Sequence, residues 1–136
     1  MMAKITDEMR EVMAKAGAWA LATATKDGVP NVVPIRFARA FAEDQIVLMD
    51  LFMQKTKRNI KENPRVAVSV WDFESLKGYQ FKGEARFMYS GKGFIVGLGM
   101  VKDALPKVFP QGALIVQVEA IYETTFGPDA GKEIGP

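Results

Sequence analysis

Asp50-Leu51-Phe52-Met53-Gln54-Lys55-Thr56-Lys57-Arg58-Asn59-Ile60-Lys61-Glu62-Asn63-Pro64-Arg65, running on into Val66-Ala67-Val68-Ser69-Val70-Trp71, is the stretch whose reading decides the fold. An apolar run ends at Asp50. A polar, basic helix is predicted over 54–63, closed by Asn63-Pro64 because the residue before proline resists the helical region. Val66, Val68 and Val70 then alternate with Ala67, Ser69 and Trp71, the period of a strand. After Asp50, five bases (Lys55, Lys57, Arg58, Lys61 and Arg65) face a single acid, Glu62. They gather where a strand gives way to a helix, whose first turn offers unpaired N–H groups and the positive end of its dipole. A phosphate fits such a place, with Lys55 adding charge and Thr56 a hydroxyl donor. Helical spacing puts Lys57 and Lys61 on one edge and Lys55 and Arg58 on another, so the bases cannot all meet one phosphate.

Upstream of this segment, Thr6 can cap a helix whose apolar stripe is Ile5, Met9, Val12, Met13 and Ala16, with Gly17 as its stop. From Ala18 the period changes to two. Trp19, Leu21, Thr23 and Thr25 share one face of a first strand, and Lys26-Asp27-Gly28 forms a hairpin turn. Val33, Ile35, Phe37, Arg39 and Phe41 alternate through one continuous second strand, and a third covers 46–50. Downstream of the segment, the sharpest alternation in the chain is Tyr79, Phe81, Gly83, Ala85, Phe87 and Tyr89 against Gln80, Lys82, Glu84, Arg86 and Met88. One of those faces is aromatic and small; the other is wet. A glycine-rich third helix is expected over 91–108, a last strand over 114–123, and a loose tail from 126. The expectation is mainly β: a six-stranded antiparallel split β-barrel with two or three short helices, one domain over 1–136.

The 136 residues contain no cysteine and no histidine. Disulfides, thiolate nucleophiles, zinc–sulfur sites and Ser-His-Asp catalysis are therefore excluded on this chain. Reactive chemistry, if any, is best supplied by a cofactor. A net charge of +2 confines any basic site to a local patch. The N-terminus has no signal-peptide apolar core and carries acids that a transit peptide avoids. The most apolar run, 94–101, is broken by Gly97 and Gly99 and is too short to span a membrane. The chain reads as soluble and cytoplasmic, with no membrane partner.

The segment resembles the phosphate-binding stretch of the pyridoxamine 5′-phosphate oxidase-like FMN-binding split-barrel superfamily. The likeness rests on Gln54-Lys55-Thr56, Asn59-Ile60, Asn63-Pro64 and the strand Val66 to Trp71. It extends to the opening helix, the strand Trp19 to Thr25, the Lys-Asp-Gly turn and Pro30-Asn31-Val32-Val33-Pro34-Ile35-Arg36. Order and spacing, over about residues 5–123, carry it. The resemblance implies that Lys55 and Thr56, helped by Lys57 and Gln54, hold the FMN phosphate, although many members have Ser where Gln54 stands. It implies that Pro34, Ile35 and Arg36 pass along the isoalloxazine ring, largely through backbone groups, that Asp50 and Leu51 line the flavin, and that Gln80 reaches a neighbouring subunit's flavin. A homodimer with flavins in its grooves is implied, with Trp19, Trp71 and Phe73 as core or interface. The vitamin B6 oxidases of this family carry a further C-terminal segment with Arg and Trp that has no counterpart here, so pyridoxine phosphate oxidation is not expected. The implied role is an FMN-dependent oxidoreductase or electron carrier with a small-molecule or protein donor and acceptor.

The same residues admit other readings. A basic run is also what a solvated helix face presents. Nucleic-acid binding calls for a broad basic surface or stacking aromatics, and here the charge is compact. Related split barrels bind the deazaflavin F420, and Lys57, Lys61 and Arg65 could meet its polyglutamate tail. A non-enzymatic flavin store or sensor is the third alternative. Gly91-Lys92-Gly93 to Gly97 lacks the spacing of a dinucleotide fingerprint, and helix packing explains its glycines better. The acids at Glu43 and Asp44, and at Asp7, Glu8 and Glu11, read as turn and helix-start charges, so no metal site is expected.

Overall fold

The computed structural model describes residues 3–135. In chain order it runs α1 (Asp7–Lys15), β1 (Trp19–Ala24), β2 (Pro30–Ile35), β3 (Ala38–Ala42), β4 (Gln45–Asp50), α2 (Lys55–Glu62), β5 (Arg65–Asp72), β6 (Lys77–Met88), α3 (Lys92–Ala104) and β7 (Gly112–Glu123). The strands form one sheet in the order β2-β1-β5-β6-β7-β4-β3, antiparallel throughout. It is a curled half-barrel with β2 and β3 at its two margins. The alternation along β6 turns Tyr79, Phe81, Gly83 and Ala85 inward and leaves Lys82, Glu84 and Arg86 exposed. Gly83 sits at a register shift so close to the Gln117 carbonyl that a Cβ there would collide with it.

Two apolar clusters hold the sheet. The inner one joins Leu21, Leu48, Val68, Phe81, Leu114 and Val116 to Met9, Val12 and Met13 of α1 and Ile60 of α2. The outer one packs Val47, Met49, Ala113 and Ile115 under Phe94 and Val101 of α3. β4 is thus buried on both faces, which is why Ile46 to Met49 is an unbroken apolar run. Two of the α3 glycines act in packing: a Cβ at Gly93 would meet Ile115 at 2.6 Å and Phe41 at 2.8 Å, and one at Gly97 would strike the Met49 sulfur.

The sheet has seven strands, where six were expected. The stretch expected as one strand, 33–41, bends at Arg36-Phe37, so that β2 pairs with β1 and β3 with β4. The bend also changes which residues face in: Val33 and Ile35, then Ala38 and Ala40, pack on the inner cluster, while Phe37 and Phe41 join the outer one. The Met49 N–H donates to the Phe37 carbonyl at 2.9 Å and ties the bend to β4. The expected loose tail is pinned as far as Ile134. Its Gly131 and Ile134 N–H groups donate to the carbonyls of Glu123 and Ile121 at 2.7 and 2.8 Å, and Ile134 packs on the inner cluster. Three helices are present among the described residues, and Thr6 caps α1.

Candidate functional site

β4 ends at Asp50, and after four intervening residues the chain enters α2. Asp50 is fully buried. One of its carboxylate oxygens accepts from the Met53 N–H at 2.9 Å, which shapes the connection. The other accepts no hydrogen bond and lies 3.5 Å from the Lys57 ammonium. Lys57 also stands 5.4 Å from the centre of the Phe87 ring. It is therefore turned into the protein toward Asp50, and its charge is largely committed there. The Gln111 N–H donates to the Asp50 carbonyl at 2.7 Å and steadies the strand end from the β7 side.

α2 starts with no side-chain cap: Gln54 holds the capping position and makes no capping hydrogen bond. The N–H groups of Lys55, Thr56 and Lys57 have no carbonyl of their own helix to bond, and the first turn carries no acid. Thr56 is buried, and its hydroxyl oxygen accepts from Asn31 Nδ2 at 3.1 Å. The same Asn31 nitrogen donates to the Thr23 hydroxyl at 3.2 Å, and Asn59 Nδ2 donates to it at 3.0 Å. This chain of amides and hydroxyls fixes α2 against β1 and β2 and leaves the Thr56 hydroxyl hydrogen available to a ligand. Thr23, Asn31 and Asn59 were not singled out in the sequence: they lie on three elements whose meeting no local spacing encodes.

Between the margin strand β2 and the Leu51–Thr56 connection lies a cavity of about 360 Å³. Pro34, Ile35 and Arg36 line one side; Leu51, Gln54, Lys55 and Thr56 line the other. Residues expected from two distant stretches of sequence thus meet across one cleft. Val33, Phe37, Met49, Phe52 and Met53 complete the wall and were not anticipated; the apolar run into Asp50 was the available signal for Met49, and the apolar Leu51-Phe52-Met53 after it for the other two. Asp50 and Lys57 sit behind the wall. Gln80, expected at a neighbouring subunit's flavin, does not line this cavity: it lies mid-sheet, opposite Ser69 of β5 and Tyr122 of β7. Among the described residues, Arg36 makes no ion pair, and its guanidinium lies 5.3 Å from the Phe37 ring centre.

Among the described residues, Arg36 and Lys55 are the only charged side chains lining the cavity, and both are cations. The cleft can therefore grip an oxyanion at the α2 end and hold an apolar plate beside it; it offers no side-chain carboxylate for proton transfer. The displaced proton affinities lie elsewhere: burial pushes the Tyr79 phenol up to about 12, and Lys77 holds Glu8 below its usual value. No group of His, Cys, Asp and Glu among the described residues could hold a metal ion. No helix among them is long and apolar enough to cross a membrane.

Residues 5–123 match the family described as pyridoxamine 5′-phosphate oxidase. The chain belongs to this family. An uncharacterized protein of Methanocaldococcus jannaschii is 39% identical over 133 residues, covering 96% of this chain and 88% of that one. Among solved structures, HupZ of Group A Streptococcus superposes with a TM-score of 0.79 at 26% identity, covering 93% of this chain and 99% of that one. An FMN-binding protein from Syntrophomonas wolfei superposes with a TM-score of 0.74 at 16% identity, covering 86% and 83%. Proteins of this fold differ in what they hold: others are described as an F420 reductase and as the heme storage protein HutZ of Vibrio cholerae. Membership of the pyridoxamine 5′-phosphate oxidase family fixes the fold and leaves the bound group open.

Proposed function

We propose that this protein binds FMN in the cleft between β2 and α2 and acts as a flavin-dependent oxidoreductase or electron carrier. The observation that carries the reading is the convergence at one cavity of an uncapped helix start, Lys55 and the hydroxyl of Thr56 with the unpartnered edge of β2. A phosphate monoester at the head of α2 would accept from backbone N–H groups, the Thr56 hydroxyl and the Lys55 ammonium together. The cavity volume suits a small ligand, and its apolar wall from Ile35, Leu51 and Met53 suits a flat ring. When bound, FMN supplies reversible one- and two-electron chemistry. Arg36, at the other side of the cleft and free of a carboxylate, places positive charge where an anionic reduced ring would gain from it. Phe52, 81% exposed at the rim, can restrict water over the ring.

The alternatives fit the cleft less well. A deazaflavin with a polyglutamate tail would call on Lys57, Lys61 and Arg65, and Lys57 is committed to Asp50. Heme would find neither imidazole nor thiolate on this chain for an axial bond. A homodimer with its flavins in shared grooves belongs to the proposal; the exposed Trp71–Phe73 pair, 6.4 Å between ring centres, is an apolar surface that such a contact could cover.

The deciding measurement is the absorption spectrum of the purified protein, followed by titration of the colourless fraction with FMN. A yellow protein with two near-visible bands, or saturable quenching of FMN fluorescence, is expected. A colourless protein that leaves FMN emission unchanged would overturn the proposal, and a single dominant deazaflavin band would redirect it.

A further inference from the structure

A second cavity, of about 470 Å³, opens next to the first between α1, β3 and Met100 of α3. Arg36 lines both cavities, so they share a wall. Arg10 and Arg39 line the second as well, and among the described residues no carboxylate does. Arg10 is held in place: it donates to the Ile5 carbonyl at 2.9 Å and stands 3.5 Å from Asp7. Arg36 and Arg39 make no ion pair among the described residues. Between the three guanidinium groups the floor is apolar, with Met13 and Trp19 buried beneath it. Arg10 and Arg39 also border a neighbouring groove, where Lys92 adds positive charge and the acid, Glu43, lies 3.6 Å from Lys4.

We infer that this second cavity binds a small organic anion: a carboxylate or phosphate monoester carried on an apolar body. Guanidinium groups present paired donors that match either oxyanion, and two of the three are free of a competing acid. The apolar floor then takes the rest of the molecule, beside the wall that Arg36 shares with the first cavity. This binding does not rest on the flavin reading.

Trp19 gives the site its own reporter. The chain has two tryptophans, and Trp71→Phe leaves Trp19 alone. In that variant, at low salt, hexanoate, hexyl phosphate and the neutral hexanol are titrated against Trp19 emission. Saturable binding of at least one anion is expected, at least tenfold tighter than hexanol, and the tighter anion identifies the head group. Arg39→Glu should weaken that anion at least tenfold, as loss of a charge-assisted contact does. Arg39→Lys should recover part of the loss, and neither change should alter FMN affinity. Equal binding of anions and hexanol, or an Arg39→Glu affinity within twofold of the parent, would overturn the inference. Arg39-dependent anion binding in a protein that never takes FMN would sink the flavin reading and leave this site standing. FMN binding without anion binding would do the reverse.

Discussion

The helices α1 and α2 begin in opposite ways. α1 spends its positive end on itself: the Thr6 hydroxyl accepts from the Met9 N–H at 3.3 Å, the Thr6 N–H turns to the Met9 sulfur, and Asp7 and Glu8 sit in the first turn. α2 has Gln54 where a cap belongs, no acid in its first turn, and Lys55 and Lys57 there instead. The same backbone dipole is neutralised in one and left exposed in the other. α3 also starts uncapped, at Gly91, so a missing cap alone does not make a site. What sets α2 apart is that its open end faces a cavity, with a buried hydroxyl and a lysine beside it.

The contrast can be broken by mutation, starting with the change of largest effect. Lys55→Glu puts a negative charge at the open helix start. FMN affinity should fall about a hundredfold, the scale of losing one charge-assisted hydrogen bond; a fluorescence titration that moves less than threefold would remove Lys55 from the site. Asp50→Ala deprives Lys57 of its buried partner and the Met53 N–H of its acceptor. Unfolding free energy in urea should drop by about 2 kcal/mol, at the low side for a broken buried pair because Lys57 can reach water. Exchanging the two helix starts sharpens the comparison. Thr6→Ala should cost about 1 kcal/mol of stability and leave FMN binding alone, whereas Gln54→Asp should add a few tenths to 1 kcal/mol while weakening FMN. A Gln54→Asp protein that is more stable and binds FMN as before would show that the α2 end does not meet the phosphate.

The smallest effect belongs to the exposed pair Glu8–Lys77, 2.7 Å apart. Lys77 lowers the Glu8 proton affinity, so the pair's contribution is present above the ordinary glutamate range and fades as pH falls through the lowered value. Glu8 in turn raises Lys77, so the contribution is also complete below the ordinary lysine range and fades as pH rises through the raised value. Glu8→Gln should therefore lower the melting temperature slightly near neutrality, less in high salt, and not at all in strong acid. A variant whose deficit grows toward low pH would contradict this sign.

The sequence made the sheet readable wherever one face meets the core and the other meets water. β6 shows this best, because its two faces differ at every step. Alternation was blind at Arg36-Phe37: both sides of the bend keep a period of two, so the pattern runs on while the strand changes partners and faces. The tail shows a different blindness, since Gly and Pro content says nothing about backbone hydrogen bonds such as those to Glu123 and Ile121. In the cleft, Lys55 and Thr56 could be picked out because a helix start is a local event. The commitment of Lys57 to Asp50, the Thr23-Asn31-Thr56-Asn59 chain and the distance of Gln80 from the cavity are tertiary facts. Seven residues apart in sequence, Asp50 and Lys57 carry no mark that one is buried beneath the other.

β2 ends the sheet on one side, and the Leu51–Thr56 connection faces it across the cleft without a rung of hydrogen bonds between them. An occupant of that seam would stitch together two parts of the chain that hydrogen-bond to each other through the Asn31 amide and the Thr56 hydroxyl. Slowed amide exchange should then spread to both banks at once upon loading, with ligand and scaffold melting as a single cooperative unit.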